Sequence, residues 1–464
     1  MTPTSQPPTR PNAELAATLV AVGVVLWGLD TPLVEDGLFW WVPQGLLAAE
    51  TGPQWVLDRL AQATRPHAAL PPQWADGLPD YGHPPLWFWW MGLFLRGFGP
   101  NHFAVHLAAL PFAALFGVFL ARLGRVVGGE RAAWAAAVIP LTPPIAANLL
   151  RADTDLPLMC LTPLALWAIL TRAEGVFAVT AALATACKEP GVLLAAPALL
   201  ANLRDGRIGW GWAWPPLTLL AWGALHEAET GWALAGSERL PETIGGWLHD
   251  LMSVTRITLV AQGRWILLVL AAWALLRRRF HAWPLTLLAL TALGQIAFFG
   301  TLNFLGGLAR EDAHTHVRYL LPGMVAALVM CLSLAPRGAW ALVLMSLIFW
   351  RRPSDDGPEA SMYGLDVALV TREAAPMIRG LEGEVWVGSY AWTQLTRPYA
   401  GVVEVPIDTL RVYHLATTPE EVSGWLVETC EGEPLGRLQE LPRTLHQEHR
   451  VGHAWVRVWR VGAP

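Results

Sequence analysis

Two neighbouring carboxylates, Glu35 and Asp36, follow the first apolar stretch of the sequence. Adjacent negative charges repel each other, which raises the pKa of one carboxyl group and makes it suitable for accepting a proton. The pair therefore predicts a general base. The alternative is a solvated loop in which neither side chain has a catalytic role.

Four further groups of ionisable residues lie near the ends of apolar segments, where a charge is costly and therefore a candidate for function. They are Arg151 with Asp153 and Asp155, His83 before Pro84-Pro85, Lys188 with Glu189, and Arg318 with Tyr319. The basic side chains in these groups can bind a phosphate. The alternatives are structural: a helix cap, a turn histidine, a lysine that pairs with its neighbour or reaches the interface, and an arginine anchor.

A further cluster, beside these five groups, contains His314 and His316, with Glu311 and Asp312 just before them. In an extended segment, His-x-His places both rings on one side, which suits a divalent metal ion. The sequence therefore raises a divalent metal as a candidate cofactor. A solvated loop is the alternative interpretation.

The amino-acid composition indicates which class of protein must position these residues. Of the 464 residues, 54% are hydrophobic and 15% are charged, and the mean hydropathy is +0.38. These values exclude a disordered chain, a disulfide scaffold and an ordinary soluble domain. The net charge of −5 gives no indication of nucleic-acid binding. The 32 basic residues comprise 31 arginines and a single lysine, Lys188.

The apolar segments predict a polytopic α-helical membrane protein. A helix needs about 20 apolar residues to cross a bilayer, and the segments between Ala13 and Trp350 predict about 11 transmembrane helices. Arginine clusters between the segments are assigned to the cytoplasm, so all five groups of ionisable residues are expected at the outer face. Residues 1–353 form the predicted membrane domain, and its first outer loop, 30–102, contains predicted amphipathic helices. The short segment Pro84–Phe98 is expected to lie at the membrane interface.

Residues 354–464 are more highly charged and predict a small α/β domain on the outer side of the membrane. Val385–Val387 and Val402–Val405 have the composition of strands. Thr418–Cys430 begins with a helix-start pattern. Ala454–Val461 alternates in polarity and predicts an edge strand.

Several short motifs occur in a recognisable order. An acidic pair after the first helix is followed by "GHPPLWFWW", an "FG" turn and Arg-x-Asp-x-Asp-Leu-Pro-Leu, then by "CKEPGVLLAAP" and "RYLLP". Over roughly residues 13–350 this order resembles the C-type (GT-C) membrane glycosyltransferases, near the protein O-mannosyltransferases and aminoarabinose transferases. The resemblance implies transfer of a sugar from a polyprenyl phosphate to an acceptor outside the bacterial cytoplasmic membrane. The acceptor is a protein, a lipid or a polysaccharide, and membrane lipids are further partners.

The resemblance also implies roles for individual residues. Asp36, with Glu35 second, corresponds to the catalytic base. The positions that contact the donor phosphate or its lipid are His83, Arg151, Asp155, Lys188 and Arg318. The sequence departs from the family pattern at His106, where many relatives have an arginine, and in the order Glu-Asp instead of Asp-Glu.

Other classes of protein also fit a helical membrane chain. A transporter or flippase for a lipid-linked intermediate predicts inverted repeats and polar residues within the spans, and no convincing repeat is visible. A non-catalytic scaffold for envelope assembly would tolerate loss of Glu35, Asp36 and Asp155. Among enzymes, an oligosaccharyl- or phosphotransferase that uses the same lipid carrier is the nearest alternative.

Overall fold

The computed structural model of the protein describes residues 12–33, 41–51, 83–151, 153–207, 209–230, 244–277, 282–301, 317–353, 361–402, 405–406, 409–413, 422–430 and 435–462. This described part is mainly helical. Its 17 α-helices are α1 Asn12–Trp27, α2 Val42–Thr51, α3 Leu86–Phe98, α4 His102–Gly128, α5 Glu130–Ala136, α6 Pro143–Leu150, α7 Asp155–Thr171, α8 Glu174–Cys187, α9 Ala195–Asp205, α10 Trp214–Thr230, α11 Ile244–Thr255, α12 Trp265–Arg277, α13 Ala282–Thr301, α14 Leu321–Leu334, α15 Gly338–Phe349, α16 Tyr363–Arg379 and α17 Ser389–Thr396.

Length and composition identify the helices that can cross a membrane. Within the described residues, His102–Gly128, Trp283–Thr301 and Val317–Leu334 are long and apolar enough to do so. Two bent pairs, α5 with α6 and α11 with α12, raise the number to as many as 5. Shorter apolar helices, α1, α7, α8 and α15, complete the helical body. The polytopic helical class is confirmed, whereas the count of 11 crossings stays a prediction.

The longest helix, α4, lies against α1 at the centre of this body. The Asn101 side chain caps its N-terminus by accepting a hydrogen bond from the Ala104 N–H at 2.9 Å. A Cβ on Gly117 would lie 2.5 Å from the Cα of Thr18. Glycine therefore allows the two backbones to approach closely, as small residues do between membrane helices.

The predicted first outer loop, residues 30–102, is described only in part. The segment predicted to lie at the interface forms α3, and Trp87, Phe88 and Met91 on this helix are buried against the body. The helix α2 also lies within this loop, for which amphipathic helices are predicted. The membrane-surface position of both helices stays a prediction.

The C-terminal part contains a five-stranded sheet with the order β2-β1-β3-β5-β4. Strands β1, β2 and β3 run parallel, and β5 is antiparallel to both β3 and β4. Helix α16 packs on this sheet and shares an apolar core with it. The strands are β1 Val385–Val387, β2 Leu410–Val412, β3 Gly424–Thr429, β4 Arg443–Val451 and β5 Ala454–Val461.

Three local predictions for this domain need correction. The stretch predicted as a helix over Thr418–Cys430 contains strand β3, because its backbone pairs with β1 on one side and β5 on the other. Ala454–Val461 is a strand, but it lies inside the sheet instead of at its edge, since β4 covers its second side. Val402 and Val405 belong to no strand among the described residues.

The C-terminal domain docks on the end of the helical body where α1 finishes and α4 begins. The Leu33 N–H donates to the Ala400 carbonyl at 2.9 Å, and the Gln394 side-chain amide donates to the Leu33 carbonyl at 3.3 Å. Arg372 on α16 pairs with the Asp30 carboxylate at 3.1 Å. These contacts fix the start of the first loop against the C-terminal domain.

Candidate active site

Lys188 lies at the sharp turn between α8 and the following 3-10 turn, Glu189–Leu194. The backbone of Lys188 is extended, and Pro190 has no backbone N–H to continue the α-helical hydrogen bonds, so the helix ends here. A Cβ on Gly191 would lie 2.5 Å from the backbone nitrogen of Thr185. This glycine lets the chain fold back against α8, which directs the lysine into the protein.

The Lys188 ammonium is almost completely enclosed, and the residue is only 1% exposed. Its Nζ donates to the Thr154 hydroxyl at 3.0 Å and lies 3.6 Å from a carboxylate oxygen of Asp155. The rings of Tyr319 and Trp41 lie 4.9 Å and 5.7 Å from Nζ. Burial alone would lower the pKa of Lys188, but the negative charge of Asp155 and the nearby Tyr319 and Glu189 hold this pKa above its usual value.

Arg318 reaches the same place from the other end of the chain. It lies in the 3-10 turn Val317–Leu320 that leads into α14, and it is 4% exposed. Its guanidinium lies 3.4 Å from Asp153 and 3.6 Å from Asp155. Arg318 Nη2 also donates to the Tyr319 hydroxyl at 3.3 Å.

Asp155 is therefore shared between Lys188 and Arg318. The distances from Asp155 to Lys188 and to Arg318 are both 3.6 Å. A charge-assisted hydrogen bond is shorter, about 2.7–2.9 Å. The Asp155 carboxylate accepts no hydrogen bond within the described part of the chain. Its negative charge balances the two cations, which hold their hydrogen bonds to other groups: Lys188 to Thr154, and Arg318 to Asp153 and Tyr319.

His83 connects this centre to Glu189. Its Nδ1 lies 2.7 Å from Glu189 Oε1 and its Nε2 lies 3.3 Å from Lys188 Nζ. Burial lowers the pKa of His83 more than Glu189 raises it. The neutral ring with its proton on Nδ1 fits both contacts, because it donates to Glu189 and accepts from Lys188.

The structure thus brings together four of the predicted residues: His83, Asp155, Lys188 and Arg318. Arg151, at the end of α6, precedes Asp155 closely in sequence and is 3% exposed. The predicted bases Glu35 and Asp36 lie outside the described residues, as do the predicted metal ligands His314 and His316. No cluster of three metal-ligating side chains occurs in the residues that the structure describes.

Other side chains complete the centre without having been assigned to it from the sequence. Asp153 and Glu189 were recognised only as neighbours of other candidates, and Thr154 and Trp41 were not recognised. The hydroxyl of Thr154 carries no sequence signal apart from its place inside Arg-x-Asp-x-Asp. His106, at the family's arginine position, is buried and its Nε2 lies 2.9 Å from the Thr31 carbonyl oxygen. The His106 ring is therefore hydrogen-bonded to the backbone four residues before Glu35.

The part of the helical body that contains most of this centre is similar to a known protein family. Residues 82–222 match the family model "Dolichyl-phosphate-mannose-protein mannosyltransferase". The resemblance seen in the sequence is confirmed in this region, which contains His83, Asp155 and Lys188.

The fold is similar to that of ArnT from Cupriavidus metallidurans in two crystal structures. The structure bound to undecaprenyl phosphate has a TM-score of 0.52 and 13% sequence identity, and the match covers 97% of this chain and 98% of that one. For the apo state the TM-score is 0.51 and the identity 14%, with 96% and 97% covered. No curated protein matches the sequence.

Proposed function

We propose that the protein transfers a sugar from a polyprenyl phosphate to an acceptor hydroxyl at the outer face of the bacterial cytoplasmic membrane. The observation that carries the proposal is the placement of Lys188 and Arg318 on either side of Asp155. Two buried cations on either side of one carboxylate are a suitable site for a phosphate oxygen, which both types of side chain bind. ArnT, which shares this fold, was crystallised with undecaprenyl phosphate.

In the proposed reaction, Asp36 removes the proton of the acceptor hydroxyl, and Glu35 is the second candidate for this role. The acceptor oxygen forms a bond to the anomeric carbon while the bond from that carbon to the phosphate oxygen breaks. The polyprenyl phosphate leaves with the electron pair, so its negative charge increases from about one to about two units. Lys188 and Arg318 stabilise this added charge in a site that excludes water. Direct displacement inverts the anomeric centre.

The neighbouring residues have supporting roles in this proposal. Thr154, Asp155 and His83 hold the Lys188 ammonium, and Asp153 holds Arg318. Arg151 supplies a further positive charge close to the phosphate. A divalent metal at His314 and His316 stays a prediction, and no step of the proposed reaction depends on it. The acceptor is a hydroxyl of a protein, a lipid or a polysaccharide.

Binding of undecaprenyl phosphate tests the site independently of the acceptor. Purified protein in detergent should bind undecaprenyl phosphate at least tenfold more tightly than the uncharged polyprenol. Lys188→Met and Arg318→Gln should abolish this preference. Arg172→Gln is the matched control, since Arg172 is exposed and pairs with Asp205 at the other end of the helices. Equal preference in wild type and both site variants would disprove the phosphate site.

Turnover tests the base. With a polyprenyl-phosphate sugar donor, Asp36→Asn should lower kcat by roughly 100-fold or more while donor binding persists, which is the range expected for loss of a general base. Full activity of Asp36→Asn would overturn this assignment. Full activity of both Asp36→Asn and Glu35→Gln would remove the acidic pair from the mechanism.

A further inference from the structure

A cavity of about 180 Å³ lies where the end of α1 meets α16. Its charged lining consists of Asp30, Arg351, Asp366 and Arg372. None of these residues belongs to the proposed active site. The volume is below the ~300–1,000 Å³ typical of pockets for drug-sized ligands, so a small polar group fits it better than a nucleotide or an oligosaccharide.

Asp366 is the unusual member of this cavity. The residue is 0% exposed, and neither carboxylate oxygen accepts a hydrogen bond within the described residues. Arg351 Nε lies 3.6 Å from Oδ1, beyond hydrogen-bond distance. Gly452 closes the other side, where a Cβ would lie 2.5 Å from Oδ2. A buried carboxylate without hydrogen bonds is costly, so this position suits a ligand that carries N–H donors.

The two arginines supply the opposite charge. Arg372 pairs with Asp30 at 3.1 Å, and the Arg351 guanidinium lies 5.9 Å from the centre of the Trp27 ring. Guanidinium groups bind phosphate through two parallel N–H bonds. With two positive and two negative side chains, the cavity has a balanced formal charge, which complements a zwitterion.

The position of the cavity indicates where such a ligand comes from. Trp27 is the last residue of the apolar helix α1 and is 56% exposed. Tryptophan at the end of an apolar helix is typical of the level of lipid headgroups. The ring of Trp350, at the end of α15, lies 6.4 Å from that of Trp27. The cavity is thus next to the surface of the bilayer.

We propose that this cavity binds the phosphoethanolamine headgroup of a membrane phospholipid, with the phosphate at Arg351 and Arg372 and the ammonium at Asp366. The lipid then bridges α1 of the membrane body and α16 of the C-terminal domain. Phosphatidylcholine matches the charge but has no N–H donor for Asp366, and phosphatidylglycerol has no cation. The three lipids therefore separate the contributions of the carboxylate and the arginines.

The experiment is native mass spectrometry of the full-length protein in detergent, titrated with the three phospholipids of identical acyl chains. Phosphatidylethanolamine should bind roughly tenfold more tightly than phosphatidylcholine, a difference of about 1.4 kcal/mol. Asp366→Asn should remove this difference, and Arg372→Gln should weaken the binding of both lipids. Arg379→Gln, an exposed change on the same helix, should leave the preference intact.

Thermal unfolding provides a second measurement that does not depend on survival in the gas phase. Phosphatidylethanolamine should raise the Tm of the wild type more than the other two lipids, and this extra rise should be absent in Asp366→Asn. Soluble glycerophosphoethanolamine, which has the headgroup without acyl chains, should bind more weakly than the lipid. Equal binding of all three lipids, or an unchanged preference in Asp366→Asn, would overturn the proposal. If glycerophosphoethanolamine binds more tightly than phosphatidylethanolamine, the ligand of the cavity is not a membrane lipid.

Discussion

The Nζ atom of Lys188 lies 3.3 Å from Nε2 of His83, and the other ring nitrogen of this histidine lies 2.7 Å from Glu189. Glu189 follows Lys188 directly in the sequence, so the histidine bridges two neighbouring side chains. This arrangement fixes the direction of the ammonium, because the ring accepts from the lysine while Glu189 holds the ring.

The first prediction concerns the shape of the cation at position 188. Lys188→Arg keeps the charge, but a planar guanidinium does not fit between Thr154 and the rings of Trp41 and Tyr319. We expect kcat/KM to fall by about 100-fold or more, the range measured when one charge-stabilising donor is lost. Transfer kinetics with a polyprenyl-phosphate sugar measure this effect. Arg204→Lys, the reverse exchange near the ring of Trp283, is the control and should retain activity. Near-normal kinetics of Lys188→Arg would contradict a specific role for lysine.

The second prediction concerns pH. Burial lowers the pKa of His83 below its ordinary value of 6.5, so the ring is neutral at pH 7 and becomes charged only in more acidic solution. Protonation would remove the acceptor for Lys188 and place two positive charges together. We therefore expect kcat/KM to fall as the pH decreases through a value below 6.5.

His83→Gln provides the comparison, since an amide donates to Glu189 and accepts from Lys188 at every pH. This variant should retain much of the activity at pH 7.5 and should lose the decline below pH 6.5. His83→Ala should be impaired throughout the range. If kcat/KM of His83→Gln falls at acidic pH with the same midpoint as the wild type, the titrating group is not His83.

The third prediction concerns the carboxylate between the two cations. Asp155→Asn leaves Lys188 and Arg318 without the charge that they share, and breaking a buried ion pair costs about 3–5 kcal/mol. Denaturant unfolding in detergent measures the loss. Asp205→Asn breaks the Arg172–Asp205 pair at 3.0 Å, where Arg172 is 59% exposed, and should cost at most about 1 kcal/mol. Equal losses would show that the centre contributes no more to stability than a surface pair.

The fourth prediction concerns the C-terminal domain and pH. Burial raises the pKa of Asp366 from 3.8 to about 6, although Arg351 and His453 act in the opposite direction. The folded state then binds more protons than the unfolded state between these two values, so stability falls as the pH rises from about 4 to 6. Asp366→Asn should flatten this dependence in lipid-free detergent. Unfolding at pH 4.5 and pH 7 checks this, and an unchanged slope would contradict it.

The fifth prediction concerns the contact between the two parts of the chain. Gln394 is buried and donates to the Leu33 carbonyl, two residues before Glu35. Gln394→Ala should lower kcat several-fold, because the segment that carries the proposed base loses an anchor. Donor binding at Lys188 and Arg318 should not change. Gln447→Ala, an exposed change on β4, should leave both quantities unaffected.

The sequence was informative where chemistry restricts the residue type. A single lysine in an arginine-rich chain identified Lys188, and charge beside apolar segments identified Asp155 and Arg318. Their convergence was not predictable from periodicity, because it depends on tertiary packing of α7, α8 and α14. Thr154 and Trp41 contact Lys188 only because the fold places them there. Other threonines and tryptophans occur throughout the sequence, so nothing in it distinguishes these two. Local patterns also failed for Gly424–Thr429, where pairing with two neighbouring strands determines the structure.

The separation of Asp153 and Arg318 along the chain, 165 residues, has a consequence for biosynthesis. At a translation rate of about 5–20 residues per second, the aspartates are made roughly 8 to 33 s before their arginine. During this interval the two carboxylates lack the Arg318 guanidinium, which in the complete chain lies 3.4 Å from Asp153 and 3.6 Å from Asp155. The charge balance of the centre is therefore completed only when the chain has been made up to the turn that leads into α14.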